Sequence, residues 1–442
     1  MKLALISLGC SKNLVDSERI SGILSRKYGF ELTSDPADGD VVVINTCGFI
    51  DSAKEESIDT IISCIPLKNK KCRCLAVTGC LVTGYKEELK KEIPEVDLWL
   101  TALDFETIGS RLSEMGLAPV SGCSSLNNKL YPGGRLLAEN SGSAYLKIAE
   151  GCNNKCTFCT IPKLRGPYVS RPIEDILAEA DELTAAGIKE INLLAQDTTF
   201  YGSDLYGSPG LEQLLEELAQ KSSAERIRIL YSYPHRITSR LIEILSREEK
   251  LCSYLDMPVQ HASDKILKAM GRPERLKSLR EKIKMIRDIN PDFALRSTFM
   301  VGFPGETEED FEILCQFLEE AAFDWVGVFS YSPQEGTPSA EMPNQVDEET
   351  KEIRYHETMA LLSRISANRL FRHIGKTETV LIEDIINPDE NSGCKYTGRT
   401  SFQAPDVDGI TFIKAREEYK PGDMIKVKIT GSDVYDLIAE AR

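Results

Sequence analysis

The stretch GCNNKCTFC, residues 151–159, places Cys152, Cys156 and Cys159 at spacings of four and three residues. We refer to these three cysteines as the barrel triad. The apolar residues 144–149 (AYLKIA) precede them and predict a strand. Three thiolates this close in sequence can ligate three irons of a [4Fe–4S] cube and leave the fourth iron open. Structural zinc needs four closed ligands, and no fourth Cys or His lies nearby in the sequence. The spacing therefore predicts an iron–sulfur cluster.

The residues after this stretch alternate predicted strands with amphipathic helices. The first helix covers residues 173–186, and strands follow at 191–196, 227–233, 254–259, 294–302 and 325–331. Repeated β–α units of this kind form a parallel sheet flanked by helices. Six units are too few for a full eight-unit barrel. We therefore predict a partial (β/α)6 barrel with an open side, followed by a long helix to about residue 373.

The first hundred residues show the same alternation. Apolar runs at 3–7, 41–45, 74–78 and 97–101 predict strands, and helical patterns follow at 13–28, 52–64 and 86–93. The opening residues MKLALISLGC could imitate a lipoprotein signal, but their apolar run is shorter than the roughly 7–15 residues of a secretory core. We therefore interpret them as the first strand of an open parallel α/β sheet domain.

Cys10, Cys47 and Cys80 each lie just beyond the carboxyl end of a predicted strand of this domain. We refer to them as the N-terminal triad. The carboxyl ends of parallel strands meet at one edge of a sheet, so these cysteines can converge and hold a second cluster with an open iron. Taken singly, each could instead be an inert buried thiol. The spacing leaves both interpretations open.

From residue 374 the pattern changes to five short alternating segments separated by turns such as Pro421-Gly422. Such segments predict a small antiparallel β-barrel. Residues 118–137 are rich in Gly, Ser and Asn, which is typical of a linker. We therefore expect domains at 1–117, 138–373 and 374–442.

The composition restricts the class of protein. The chain has 442 residues, of which 42% are hydrophobic and 28% charged, as in ordinary globular proteins. No apolar run is long enough for a transmembrane helix, and we expect a cytoplasmic protein. In that setting 13 cysteines favour metal or cluster ligation over disulfides. The net charge of −16 argues against a partner held mainly through its phosphates and leaves a basic partner open.

These motifs resemble two known groups of proteins. The CxxxCxxC spacing, with Phe158 before the last cysteine and a six-unit barrel after it, resembles the radical S-adenosylmethionine (SAM) superfamily. The segments SLGCSKNLVDSE, NTCGFI and VTGC contain the N-terminal triad. Together with the barrel triad and the C-terminal barrel, they resemble the methylthiotransferase family over nearly the whole chain. In that family the C-terminal barrel is a TRAM domain.

The resemblance implies an enzyme with two [4Fe–4S] clusters that uses two molecules of SAM. The cluster on the barrel triad would bind SAM at its open iron and cleave it to methionine and a 5′-deoxyadenosyl radical. The cluster on the N-terminal triad would carry the sulfur to the substrate carbon, and the second SAM would supply the methyl group. A sulfur donor and an electron donor such as a flavodoxin or ferredoxin are also implied.

Other side chains near the predicted strand ends could contact SAM. An arginine could hold its carboxylate through charge-assisted hydrogen bonds. A glycine would let the backbone approach its adenine or ribose, or would merely make a turn. We expect SAM contacts from Phe158, Arg165, Gln196, Arg296, Gly302 and Gly305. Asp197, His235 and His261 also follow strands and could line the cavity, whereas the acidic run 306–310 is expected to be only the first turn of a helix.

Members of this family thiolate either a tRNA adenosine or the β-carbon of an aspartate in ribosomal small-subunit protein twelve. An RNA-binding barrel should show a basic face, but residues 375–442 carry nine Lys and Arg against thirteen Asp and Glu, a net of −4. This balance favours the basic ribosomal protein, and the segments QDTTFYGSD and YSYPHR resemble the protein-thiolating branch.

Three alternatives remain open. The first is a tRNA adenosine methylthiotransferase similar to MiaB, which would use a local basic patch such as KPGDMIKVKI. The second is a single-cluster radical SAM sulfur-insertion enzyme in which the N-terminal triad is structural. The third is a non-catalytic iron–sulfur or zinc scaffold that binds ribosomal components.

Overall fold

The structure is a computed structural model that describes residues 1–118, 134–138, 141–386 and 393–442. Its N-terminal part contains strands β1 (Lys2–Ser7), β2 (Glu31–Thr33), β3 (Val41–Thr46), β4 (Cys74–Gly79) and β5 (Leu98–Trp99), with helices α1 (Ser11–Tyr28), α2 (Asp51–Cys64), α3 (Cys80–Glu92) and α4 (Ile108–Glu114). The strands form one parallel sheet in the order β2-β1-β3-β4-β5. Every residue of β3 and β4 is buried, as expected for a parallel sheet covered on both faces.

Two elements of this part differ from the prediction. The edge strand β2 was not predicted, because its three residues are largely exposed and give no apolar pattern. Helix α3 begins at Cys80 instead of residue 86 and has a break at Tyr85, whose φ and ψ are −135° and 27°. The break interrupts the helical periodicity, so the sequence pattern does not show the first turn of the helix. Cys80 is therefore the first residue of a helix and not a loop residue.

The central part forms the predicted partial barrel. It contains β6 (Ser143–Lys147), β7 (Ala149–Glu150), α5 (Ile161–Arg165), β8 (Val169–Ser170), α6 (Ile173–Ala185), β9 (Glu190–Leu194), α7 (Leu211–Lys221), β10 (Arg226–Ile229), α8 (Ser239–Arg247), β11 (Tyr254–Asp256), α9 (Asp264–Ala269), α10 (Leu276–Ile289), β12 (Ala294–Val301), α11 (Glu308–Ala321), β13 (Trp325–Ser330) and α12 (Glu348–Phe371). Two parallel sheets, β10-β9-β6 and β11-β12-β13, meet at a single bridge between Ile227 and Leu251. The short antiparallel pair β7–β8, which was not predicted, closes the base of the loop that carries the barrel triad.

The C-terminal part is a closed barrel of β14 (Thr377–Ile385), β15 (Tyr396–Arg399), β16 (Thr411–Lys414), β17 (Met424–Ser432) and β18 (Leu437–Ala441), in the order β14-β15-β16-β18-β17. The predicted small β-barrel is confirmed: four of its five strand pairs are antiparallel, and the fifth pair, β16 and β18, is parallel. A closed ring with an odd number of strands cannot alternate direction throughout. One parallel pair is therefore unavoidable here.

The C-terminal barrel packs against the amino end of the partial barrel through buried charges. Glu190, at the start of β9, is fully buried and lies 2.7 Å from Arg399 of the C-terminal barrel and 2.9 Å from Arg226 of β10. Arg228 lies 3.6 Å from the same carboxylate and donates to the backbone carbonyl of Ser401 (2.9 Å). The two barrels therefore share one ion network that excludes water.

The expected linker at 118–137 lies mostly outside the described residues, as does Cys123. Its last part packs on α1, where Arg135 pairs with Glu18 (3.0 Å) and with Glu179 of α6 (3.0 Å). This arginine thus joins the N-terminal sheet domain to the partial barrel. Among the described helices, we find none that combines the length and the apolarity needed to cross a bilayer.

Candidate functional site

The barrel triad lies on a loop that is fixed from two sides. The amide N–H of Cys152 donates to the carbonyl of Gly166 (3.1 Å), and that of Thr157 donates to the carbonyl of Met270 (3.0 Å) at the end of α9. All three cysteines of the triad are partly exposed. The loop therefore presents three thiols at the carboxyl end of the first barrel strand, where the barrel fold places functional groups.

Cys156 has two neighbours that sequence analysis did not identify. The hydroxyl of Tyr233 lies 3.5 Å from the Cys156 sulfur, and the buried guanidinium of Arg272 lies 3.9 Å from it. Arg272 also stacks over the Tyr233 ring, 3.8 Å from its centroid. Burial raises the pKa of the Cys159 thiol to about 12 and also raises that of Cys152. Iron must therefore displace protons from these thiols when it binds.

Polar side chains at the end of β9 support the same loop. Asp197 is buried and accepts hydrogen bonds from Asn154, inside the triad loop (2.8 Å), and from Arg236 (2.6 Å). Gln196 donates through its amide nitrogen to Glu150 (3.0 Å). Its carbonyl oxygen is buried, with no partner among the described residues. A buried acceptor without a donor is costly, so this oxygen is suited to a bound ligand.

The three cysteines of the N-terminal triad lie at the carboxyl edge of the N-terminal sheet. Cys10 immediately precedes α1, Cys47 follows β3, and Cys80 begins α3. A Cβ atom on Gly9 would lie only 2.7 Å from the Cβ of Cys47, and Gly9 has a φ of +86°. Gly79, with a φ of +108°, leaves similarly little space beside Thr46. Glycine at these positions lets the three loops approach one another.

Asn13 holds these loops together and was not predicted. It is fully buried, and its amide nitrogen donates to the carbonyls of Leu8 (2.9 Å) and Thr46 (3.0 Å). Its side-chain oxygen accepts from Arg165 and lies 3.9 Å from the Cys80 sulfur. One side chain thus links the loops of all three cysteines. Its position three residues after Cys10 in GCSKN was the only signal in the sequence.

We expect Asn13→Ala to reduce the iron bound by the N-terminal triad and to lower the free energy of unfolding. The substitution removes the side-chain donor of two backbone carbonyls and the acceptor of Arg165 Nη2, while the rest of that guanidinium keeps Asp16 and Glu150. A buried group that loses its partner costs about 1–3 kcal/mol. Iron analysis and thermal unfolding of the purified protein measure both effects. Asn290→Ala is a matched control, because Asn290 lies at the end of α10, where its side chain accepts the amide N–H of Asp292 (3.0 Å) and donates to Ser246 and Ser253 (both 3.4 Å) and contacts neither triad. An unchanged iron content in Asn13→Ala would contradict this role.

Cations surround the N-terminal triad. Cys10 is exposed at the surface of the triad; partial desolvation by nearby protein atoms acts to raise the pKa of its thiol, but Lys12 and Arg165 outweigh it and lower the pKa overall. Burial does raise the pKa of Cys80, against the opposing effect of Arg165. The Lys12 ammonium lies 3.2 Å from the centroid of the Tyr231 ring, across from the N-terminal domain. Tyr231 has a φ of +60°, a strained conformation at the carboxyl end of β10.

The donor sets of both triads fit iron–sulfur clusters. No group of three or more Cys, His, Asp or Glu among the described residues converges tightly enough to hold a single metal ion. A cube does not require that convergence, because each thiolate ligates a different iron. Three thiols with cationic neighbours, and no fourth ligand in the part of the chain that the structure describes, suit a cluster with one open iron better than closed zinc.

In the structure, the two arginines predicted to contact SAM bond to other groups of the protein. Arg165 is buried against the N-terminal triad, and Arg296 pairs with Asp256 (2.9 Å) and with Asp408 of the C-terminal part (3.3 Å). The remaining three candidates are one phenylalanine and two glycines. Phe158 packs on an apolar cluster, and Gly302 (φ +72°) and Gly305 (φ +82°) lie in turns whose amide N–H groups bond to the protein. Their contact with SAM stays a prediction.

The two histidines differ in their surroundings. His235 is partly exposed, and its Nδ1 lies 3.3 Å from Glu274. His261 is fully buried, with Nε2 3.2 Å from Glu306, so it does not line an open cavity. Glu306 also accepts the Gly302 amide and pairs with Arg354 (2.8 Å). The expected charged first turn of α11 is formed by Glu308, Glu309 and Asp310, whereas Glu306 precedes the helix and pairs with buried side chains instead.

Comparison with known proteins places this geometry in a family. The chain matches the uncharacterized protein family UPF0004 over residues 2–101, the radical SAM superfamily over 146–318 and the TRAM domain over 374–441. It is 46% identical to ribosomal protein uS12 methylthiotransferase RimO of Clostridioides difficile (strain 630), covering 100% of this chain and 98% of that protein. RimO of Geobacter sulfurreducens is also 46% identical, over 99% of this chain and 98% of that protein.

A solved structure shows the fold. The radical SAM methyltransferase TsrM from Kitasatospora setae, with cobalamin and a [4Fe–4S] cluster bound, superposes with a TM-score of 0.57 at 12% identity, covering 77% of this chain and 76% of that one. This similarity supports the architecture alone. The identity over the full length carries the assignment further: the chain belongs to the RimO family of radical SAM methylthiotransferases, enzymes that transfer sulfur-containing groups and depend on iron–sulfur clusters and SAM.

Proposed function

We propose that this enzyme inserts a methylthio group at the β-carbon of an aspartate in ribosomal protein uS12, using two [4Fe–4S] clusters and two molecules of SAM. The full-length 46% identity to proteins named for that activity carries the substrate assignment. The two cysteine triads supply a separate ligand set for each cluster. We assign the barrel triad to the SAM-binding cluster and the N-terminal triad to the sulfur-carrying cluster.

When bound, the clusters and SAM supply the electron, the carbon radical and the methylthio group. The residues of this chain hold and orient them. Arg272 and Tyr233 would position the Cys156 thiolate, while Asn154 and Asp197 fix the loop around it. The unpaired carbonyl oxygen of Gln196 would accept a hydrogen bond from SAM or from the substrate. Burial of these groups strengthens each polar contact.

Charge on the C-terminal barrel supports a basic protein substrate over tRNA. Its net charge is −4, and Arg399 is buried in the ion network with Glu190. The basic segment 420–429 includes Lys428, which lies directly opposite Glu440 on β18. Cross-strand neighbours of opposite charge offset each other, so this candidate patch is partly neutralised.

The proposal also includes the domain division at 1–117, 138–373 and 374–442, with a linker at 118–137. A cytoplasmic location, a sulfur donor and an electron donor such as a flavodoxin or ferredoxin complete it. The elements β1 to α4, β6 to α12 and β14 to β18 are compatible with these boundaries.

An anaerobic competition tests the substrate. Reconstituted enzyme, SAM and a reductant are mixed with purified uS12 and bulk tRNA together, and both products are analysed by mass spectrometry. We expect a methylthio mass gain on one aspartate of uS12 and none on tRNA. A gain on a tRNA adenosine would contradict the charge argument and favour the MiaB-like alternative. SAM cleavage without a gain on either would leave the radical chemistry intact and exclude both substrates.

A further inference from the structure

Helix α5 connects the two cysteine triads. It begins two residues after Cys159 and ends at Arg165, whose Nε lies 3.1 Å from the Cys80 sulfur. Arg165 is only 2% exposed. A single short segment therefore leaves the barrel triad and reaches the N-terminal triad.

The rest of the Arg165 guanidinium is held by other partners. Nη1 lies 2.7 Å from Asp16 and 3.4 Å from Glu150, and Nη2 donates to the side-chain oxygen of Asn13. Lys147 also pairs with both carboxylates. Two cations thus face two anions in a buried cluster. The opposing charges largely cancel, so the directed hydrogen bond from Nε is the specific effect that Cys80 receives.

This geometry does not suit a role in holding SAM, because both Nη atoms already bond to protein oxygens. It suits a role toward the sulfur instead. Hydrogen bonds to cluster sulfurs raise the reduction potential, and groups around the ligands fix their orientation. Burial strengthens such a bond because the surrounding dielectric constant is low.

We propose that Arg165 is a positioning residue of the N-terminal cluster: its Nε–H fixes the Cys80 sulfur and raises the reduction potential of the cluster held by the N-terminal triad. The inference rests on the proposed function, which places a cluster there. It adds a structural connection, through α5, between the loop of the SAM-binding cluster and the ligands of the sulfur-carrying cluster.

The test uses the full chain with Cys152, Cys156 and Cys159 replaced by Ala, so that only the N-terminal cluster contributes a signal. Its midpoint potential is measured by a redox titration followed by electron paramagnetic resonance. We expect Arg165→Gln to shift the midpoint to a more negative value. Adding Asp16→Asn restores the charge balance, and the part of the negative shift that persists in this double variant measures the hydrogen bond.

Two further variants separate this role from a structural one. Arg135→Gln is the matched control, because Arg135 is also a buried arginine that joins α1 to the barrel, through Glu18 and Glu179. It should lower the unfolding temperature and leave the potential unchanged. Arg165→Lys keeps the charge but cannot donate to Asp16, Asn13 and Cys80 at once, so it should give a smaller negative shift, and it carries the test if Arg165→Gln does not fold.

The outcomes are distinguishable. An unchanged potential in both Arg165 variants, with only lower thermal stability, would overturn the inference. A negative shift that disappears completely in the Arg165→Gln, Asp16→Asn double variant would also overturn it, because charge alone would then be responsible. A parent protein without any iron–sulfur signal would instead overturn the two-cluster assignment of the proposed function.

Discussion

Replacing Cys156 by Ala is expected to reduce 5′-deoxyadenosine formation to the uncatalysed level, whereas replacing Cys10 by Ala is expected to preserve it and to abolish methylthio transfer. Cys156 belongs to the triad proposed to hold the SAM-binding cluster, which loses one of only three ligands in the variant. Cys10 belongs to the other triad, so its loss leaves radical generation intact. Chromatography of deoxyadenosine and mass spectrometry of uS12 measure the two activities.

A matched control for both variants is Cys315→Ala. Cys315 is a partly buried cysteine on α11, outside both triads. It should retain both activities and the full iron content, whereas each triad variant should lose the iron of one cluster. Methylthio transfer by the Cys10 variant would refute the assignment of the N-terminal triad, and deoxyadenosine formation by the Cys156 variant would refute that of the barrel triad.

Replacing Glu190 by Gln is expected to lower the free energy of unfolding by about 3–5 kcal/mol, the usual effect of breaking a buried ion pair. The variant leaves Arg226, Arg228 and Arg399 buried without their shared anion. Among the described residues, Glu383 is then the one carboxylate still paired with Arg399. For the same reason, removal of residues 374–442 should prevent the partial barrel from folding stably. We therefore expect the C-terminal barrel to be required for folding and not only for substrate capture. Urea denaturation monitored by circular dichroism measures the difference.

The control for Glu190 is Glu225→Gln. Glu225 pairs with Lys189 at the surface, and such exposed pairs contribute about 0–1 kcal/mol to the free energy of unfolding.

The pH dependence of stability provides a second check. Burial acts to raise the pKa of Glu190, but Arg399, Arg228 and Arg226 hold it far below its ordinary value. Its stabilisation is therefore complete above the ordinary glutamate pKa of about 4.3 and is lost as the pH falls. The difference in the free energy of unfolding between wild type and Glu190→Gln should decrease at acid pH. A difference that increases would contradict the ion network.

Local patterns in the sequence predicted the parallel sheet, the partial barrel and the C-terminal barrel, and they singled out six cysteines whose role as cluster ligands stays a prediction. Strands β3 and β4 are continuous apolar runs, and Cys47 and Cys80 come directly after them. Because parallel strands end at the same edge of a sheet, these positions allowed Cys10, Cys47 and Cys80 to meet, and the resemblance to the methylthiotransferase family then favoured a second cluster over buried thiols. The CxxxCxxC spacing predicted the barrel triad directly.

The partners of these cysteines depend on contacts between distant segments, which no local pattern encodes. Asn13, Arg272 and Arg165 are ordinary polar residues in the sequence, and their roles arise only because α1, the end of α9 and α5 pack beside the triads. Arg165 and Arg296 were expected to contact the SAM carboxylate. In the structure they are paired with Asp16 and Asp408 of the protein. The sequence by itself determined which cysteines are candidates for the chemistry, because spacing and strand ends are local. Only the tertiary structure decided what each charged side chain contacts, because a buried charge must find its partner wherever the packing of the chain places one.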